Sequence, residues 1–192
     1  MPRAFKRLFI ALRPLAVAWL VCFLAPGCEA LAQSASVPPT EASVRAAFLY
    51  RFLDYVEWDR GHLEPGQTIV IAVLGNDEML DEVQRTIAGR RSHEHPIEIR
   101  KLSAGDDLTG VQVVYVGTPS SAAIAAMAKR AMAASALLVT NAENALALGS
   151  DINFVETDGH VRFEVDLGNV ERSGLRLGSG MLSVALRVRN SS

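Results

Sequence analysis

His93-Glu94-His95 sets two imidazoles two residues apart, a spacing that could share a metal on a strand edge. Zinc sites usually take three or four ligands, and neither a cysteine nor an H-E-x-x-H helix stands nearby. A surface loop is the expected role of these histidines. Gly75-Asn76-Asp77 follows an apolar run and could meet an anion at a helix N-terminus. It lacks G-x-G-x-x-G, and Asp77 would repel a phosphate, so a plain helix cap is expected. Gly174, Gly178 and Gly180 flank Ser179, yet no lysine follows as in a phosphate-binding loop; the stretch reads as a turn into a last helix. No G-x-S-x-G elbow is present, and His62 and His160 have no sequence-local partner of note. A dispersed Ser/His/Asp set leaves no local mark, so a hydrolase stays open as the weakest reading. No catalytic residue, metal or cofactor is assigned.

Arg162-Phe163-Glu164 is the most suggestive polar set. In an alternating strand Arg162 and Glu164 share one face, while Val161, Phe163 and Val165 share the other. Their plainest role is a cross-strand or same-face ion pair, worth little if exposed. Their functional role would be to present charge, with Arg176 in the following turn and Arg51 nearer the N-terminus, to a partner or small anion. The planar guanidinium fork suits carboxylates better than an ammonium does. Arg51, Arg162, Glu164 and Arg176 are therefore the expected partner- or ligand-binding residues.

The elements that must position them read as one α/β domain over residues 41–190. After a polar linker at 33–40, Thr40 is a candidate N-cap. Val44, Ala47, Phe48, Phe52, Tyr55 and Val56 then recur at helical spacing, with Arg45, Asp54 and Glu57 on the other side. That stripe is expected to face the core, with Trp58 as a packing anchor. Thr68 to Leu74 is a continuous apolar run, as in a strand buried on both faces. A helix over Glu78–Ala88, strands over Ile97–Leu102 and Val111–Val116, a helix over Ser121–Ala134 and a strand over Ala136–Val139 follow. Such alternation predicts a mostly parallel central sheet flanked by helices. Asp158-Gly159 between Ile152–Glu156 and Val161–Leu167 signals an antiparallel hairpin at the C-terminal end.

Arg3, Lys6, Arg7 and Arg13 precede an uncharged apolar run of ten residues, Leu15 to Leu24. That run is too short for a bilayer core of about 30 Å, which argues against a retained anchor. Ala30-Leu31-Ala32 is the small-x-small site of a cleaved secretory signal, so residues 1–32 are expected to be removed and the protein to reach the periplasm. Lipidation of Cys28 is the rival, but Pro26 and the placement of Leu24 fit a lipobox poorly. Cleavage after Ala32 would remove both cysteines, Cys22 and Cys28. It would leave 15 basic and 20 acidic residues, a balance of −5, with no basic run to neutralise phosphates; nucleic acid is not an expected partner.

Ala46 to Trp58 reads A-A-F-L-Y-R-F-L-D-Y-V-E-W, and Val161 to Val188 holds V-R-F-E-V-D-L, R-S-G-L-R-L and M-L-S-V-A-L-R-V. With V-L-G-N-D-E at Val73 to Glu78 and the pair Gly89-Arg90, these resemble the YfiR family over roughly Glu41 to Val188. The family's pattern is a K-A-A-F-L-Y-x-F-x-x-F-V-E-W helix, V-L-G-D-D, G-R, an R-F-E-I-N strand, an A-G-L turn and a leucine-rich terminal helix. The resemblance implies a periplasmic repressor that binds the periplasmic domain of a membrane diguanylate cyclase, rather than an enzyme. His93-Glu94-His95 replaces a second glycine-arginine and Gly149-Ser150 a glycine pair, which leaves a similar membrane sensor protein, such as a histidine kinase, open as the partner. Cysteine-based redox control found in some relatives cannot carry over. The competing reading is a periplasmic sensor of a small anionic or aromatic molecule, acting on another membrane receptor through a pocket at the strand ends. A homodimer is compatible with either.

Overall fold

The computed structural model describes residues 38–58 and 63–190. The expected signal and its cleavage site, both cysteines and His62 lie outside the described residues.

Thr40 caps the first helix, its Oγ1 accepting the Ser43 N–H at 3.1 Å. Helix α1 (Glu41–Phe52) places Glu41 in its first turn and Arg51 in its last, each favourable to the helix dipole. It ends earlier than the apolar stripe predicts. Ala42, Ala46, Leu49 and Phe52 are the buried set, Phe48 is half-buried, and Ala47 faces water. Val56-Glu57-Trp58 leaves the helix to become strand β1. Its residues alternate in burial, and a strand lets them pair with a distant segment, which a helix could not.

Strand β2 (Ile69–Leu74) is followed by helix α2 (Asp77–Ile87), and Asn76 Oδ1 caps that helix by accepting the Met79 N–H at 2.8 Å. The cap expected at Gly75-Asn76-Asp77 is thus present. Strand β3 (Arg91–Ser92) turns back through His93 and Glu94 into β4 (His95–Leu102). Strand β5 (Val113–Val116), helix α3 (Ser121–Ala133), β6 (Leu137–Thr140), β7 (Ile152–Thr157) and β8 (His160–Asp166) complete the predicted alternation. The chain then adds α4 (Leu167–Arg172), β9 (Leu175–Leu177), α5 (Ser179–Leu182) and β10 (Arg187–Arg189).

Among the described residues, eight strands form one sheet in the order β10-β8-β7-β6-β5-β2-β4-β3. All neighbours run parallel except β7 with β8 and β3 with β4. Asp158 and Gly159 take positive φ, 54° and 69°, in the hairpin joining β7 and β8. The predicted fold class, an α/β domain with a mostly parallel sheet and an antiparallel C-terminal hairpin, is the one observed.

One apolar cluster joins α1 and α2 to one face of the sheet, and a second joins α3 to the other. Under α1, Phe52 meets Phe163 edge-on at 5.0 Å between centroids and stacks on Phe154 at 5.8 Å, while Phe48 meets Phe163 at 5.5 Å. Such pairs add to the area they bury.

The last element differs from expectation. M-L-S-V-A-L-R-V does not form a terminal helix; α5 is a single turn and the chain then extends as the edge strand β10, parallel to β8. The reason is position. A helix would waste the free edge of β8, whereas extended backbone pairs with it.

Candidate functional site

The short strands β1 and β9 form a separate antiparallel ribbon, with Val56 opposite Leu177, Glu57 opposite Arg176 and Trp58 opposite Leu175. Leu175 packs into the α1-face cluster, and alternation sends Arg176 to solvent. Arg176 is therefore mid-strand rather than in a turn. Its Nε lies 3.7 Å from Glu57 Oε2, and both side chains are exposed. A cross-strand pair in that setting contributes little stability, so both groups are free to exchange partners.

The ribbon forms one wall of an open cleft of about 710 Å³. Leu53, Val56, Trp58, Leu63 and Ile69 supply apolar lining, while Glu57, Arg176, Ser92, His93 and His95 supply polar groups. Among the described residues, Nε1 of Trp58 is buried without a hydrogen-bond partner. The cleft opens beside Ile69 and His95, which begin the parallel strands β2 and β4. That is the amino end of those strands, opposite to the carboxyl-end crevice of open α/β sheets. At the carboxyl end the loops after β2 and β5 pack closely against each other. A Cβ at Gly117, after β5, would stand 2.5 Å from Asn76 Cβ in the loop after β2.

His93 sits in the β3–β4 turn with φ 49°, and its Nε2 lies 4.0 Å from Asp54 Oδ1. The same oxygen accepts from Ser92 Oγ at 3.3 Å, and Arg51 donates to Asp54 Oδ2 at 3.5 Å. His95 Nδ1 lies 2.8 Å from the Gln67 carbonyl. The two imidazoles thus have separate partners. No cluster of three or more metal-ligating side chains exists among the described residues.

Of the expected binding residues, the fold brings Arg176 to the cleft wall and links Arg51 to the cleft through Asp54 and Ser92. It places Arg162 and Glu164 elsewhere. Phe163 and Val165 point under α1, so Arg162 and Glu164 project from the opposite face. Glu164 pairs with Arg187 of β10 at 3.5 Å, while Arg162 is exposed with no ion pair among the described residues. Glu164 is therefore paired across strands rather than with Arg162. Sequence reading does not join Glu57, Asp54, Ser92 and His93 into one site, because their meeting depends on β1–β9 pairing and on a turn about forty residues downstream of α1.

A buried polar knot lies at the C-terminal end of the sheet. Asp151 Oδ2 accepts the Leu138 N–H at 2.7 Å, and Oδ1 accepts from Ser173 Oγ at 3.4 Å. Burial pushes the Asp151 carboxyl up to about 7, aided by nearby Asp166 and opposed by those hydrogen bonds and by Arg172. Asp166 Oδ1 caps α4 by accepting the Asn169 N–H, and Asn169 Nδ2 donates to the carbonyls of Leu146 and Ser150. Two neighbouring carboxylates suggest acid–base chemistry, but Asp151 and Asp166 are 1% and 0% exposed, and a substrate has no route to them. Their role is to tie strands and loops together.

These elements build an amphipathic cleft in an α/β domain, with an exposed charge pair at its rim. Residues 42–186 match the YfiR/HmsC-like family (DUF4154), and the chain belongs to it. No curated protein matches the sequence. A conserved domain protein from Vibrio cholerae O1 biovar El Tor has a similar fold, with TM-score 0.52 and 11% identity over 77% of this chain and 60% of that one. The chain therefore spans less than two thirds of that structure's length, and the likeness speaks to fold alone. Among the described residues no helix is long and apolar enough to cross a membrane.

Proposed function

We propose that the protein works in the periplasm as a repressor, binding the periplasmic domain of an inner-membrane diguanylate cyclase and holding it inactive. The family match over residues 42–186 carries this reading. The exposed Glu57–Arg176 pair offers charge that can be re-paired across an interface. A repressor shifts its target only by its differential affinity for the two states; moving a population from 99:1 to 1:99 takes about a 10⁴-fold difference.

Deleting the gene should raise cyclic-di-GMP, and Arg176→Glu should raise it partly while periplasmic abundance stays unchanged. A charge reversal at a paired contact can cost a hundredfold or more in affinity. An unchanged level on deletion, with the cyclase expressed, rejects the repressor role. A response to deletion but none to Arg176→Glu rejects only that contact. The cleft supports a second reading, in which a small aromatic or apolar anion modulates docking. Its apolar walls would take the ring, and Arg176 and the imidazoles the charge.

A further inference from the structure

Among the described residues, strand β10 is the outermost strand on its side of the sheet. Nearby, Val184, Leu186 and Val188 are 65%, 48% and 40% exposed, an unusual run of bare apolar side chains for a sheet edge. The free backbone groups can be located from the ladder. Asp166 N–H donates to Asp151 O on the β7 side, so the Val165 carbonyl, in the same peptide, turns toward β10. Val188 lies opposite Val165, and in a parallel ladder that carbonyl then bonds Arg189. Alternation leaves the N–H and C=O of Val188 facing outward.

Charge at this edge is one-sided. Arg187 and Arg189 pair with Glu164 and Asp166, but the guanidinium side chains are 65% and 40% exposed while the carboxylate side chains are 16% and 1% exposed. Exposed Arg162 stands on the same face as Glu164 and adds a further cation. A solvent-side partner therefore meets positive charge over a strand with unused hydrogen bonds.

We propose that the β10 edge receives an extended acidic segment of a partner protein as an added strand, its residues alternating acidic and apolar. The apolar residue opposite Val188 would exchange backbone hydrogen bonds with it and cover Val188 and Leu186, while flanking carboxylates meet Arg187 and Arg189. A second copy fits less well. Two β10 edges would bring arginines of like charge together, and a three-residue strand buries far less than the roughly 1,200 Å² of a stable interface. The inference rests on the reading that the protein acts by binding a partner, but its test does not use the cyclase.

The full mature chain would be titrated with blocked seven-residue peptides alternating Glu and Val, or Lys and Val, and followed by amide NMR. The acidic peptide should shift the Val188 amide and slow its hydrogen exchange, and the basic one should bind at least tenfold more weakly. Leu186→Glu should weaken the acidic peptide at least tenfold. Val188→Pro, which removes the outward N–H without touching the β8 ladder, should do the same. Equal binding of both peptides, no binding of either, or full binding by folded Leu186→Glu protein would overturn the proposal. So would a concentration-dependent dimer, lost in Leu186→Glu. Cyclic-di-GMP that rises on deletion despite any of these results would leave the repressor reading standing.

Discussion

Phe163 and Val165 of β8 and, one strand further out, Leu186 and Val188 of the C-terminal edge lie beside each other in the sheet, yet their surroundings are opposite. The first pair is 1% and 0% exposed beneath α1, where Phe163 meets the rings of Phe48 and Phe52. The second pair has no such cover and is 48% and 40% exposed. Hydrophobicity alone does not decide burial; the reach of the covering helix does. The opposite edge of the sheet shows the usual remedy. Strand β3 has only two residues, carries Arg91 and is held by Tyr50, whose hydroxyl donates to the Arg91 carbonyl at 2.9 Å.

The contrast is sharpened most by cutting into the covered patch. Phe52→Ala should cost about 3–5 kcal/mol, because it leaves a cavity among three other rings. Urea denaturation measures it. A loss below about 1 kcal/mol, with repression abolished, would mean that α1 is a docking surface and the two patches are alike.

A smaller effect is expected at the knot that holds the β8 end to which β10 attaches. Burial holds the Asp151 carboxyl up from 3.8 to about 7. Between those values the folded state keeps a proton that the unfolded chain has released. Stability from this group is therefore full below about pH 4 and is lost as pH rises to about 7. Asp151→Asn should flatten that dependence and gain on the order of a few kcal/mol near pH 8. Melting curves of both proteins from pH 4 to pH 8 with the same slope would show that the carboxyl is not held protonated.

The smallest effect belongs to the uncovered patch. Leu186→Lys should change stability by less than about 0.5 kcal/mol, since the side chain already meets water. A loss of several kcal/mol would show that Leu186 is part of the core, and the contrast would collapse.

Much of the architecture was legible in local sequence. Ile69 to Val73 is apolar at every position because helices cover both faces of its strand. The alternation of Val161 to Val165 correctly separated Arg162 and Glu164 from Phe163. Thr40, Asn76 and Asp158-Gly159 act within a few residues of themselves, so their roles needed no distant partner. The segments read wrongly were those with two local solutions. Val56-Glu57-Trp58 suits the end of a helix as well as a strand, and β9, over a hundred residues away, selects the strand. The C-terminal apolar run suits a helix until the free edge of β8 competes for its backbone.

The sequence by itself therefore determined the alternation of elements, the parallel core, the hairpin and the family, because these depend on periodicity and on short-range turn chemistry. Tertiary structure alone decided that Arg176 meets Glu57 beside His93, that Asp151 loses its water, and that Leu186 and Val188 keep theirs. Those outcomes depend on which surfaces meet after the chain closes. Charge state and exposure follow from the dielectric and the cover at a point in space, and no residue carries either as a property of its type.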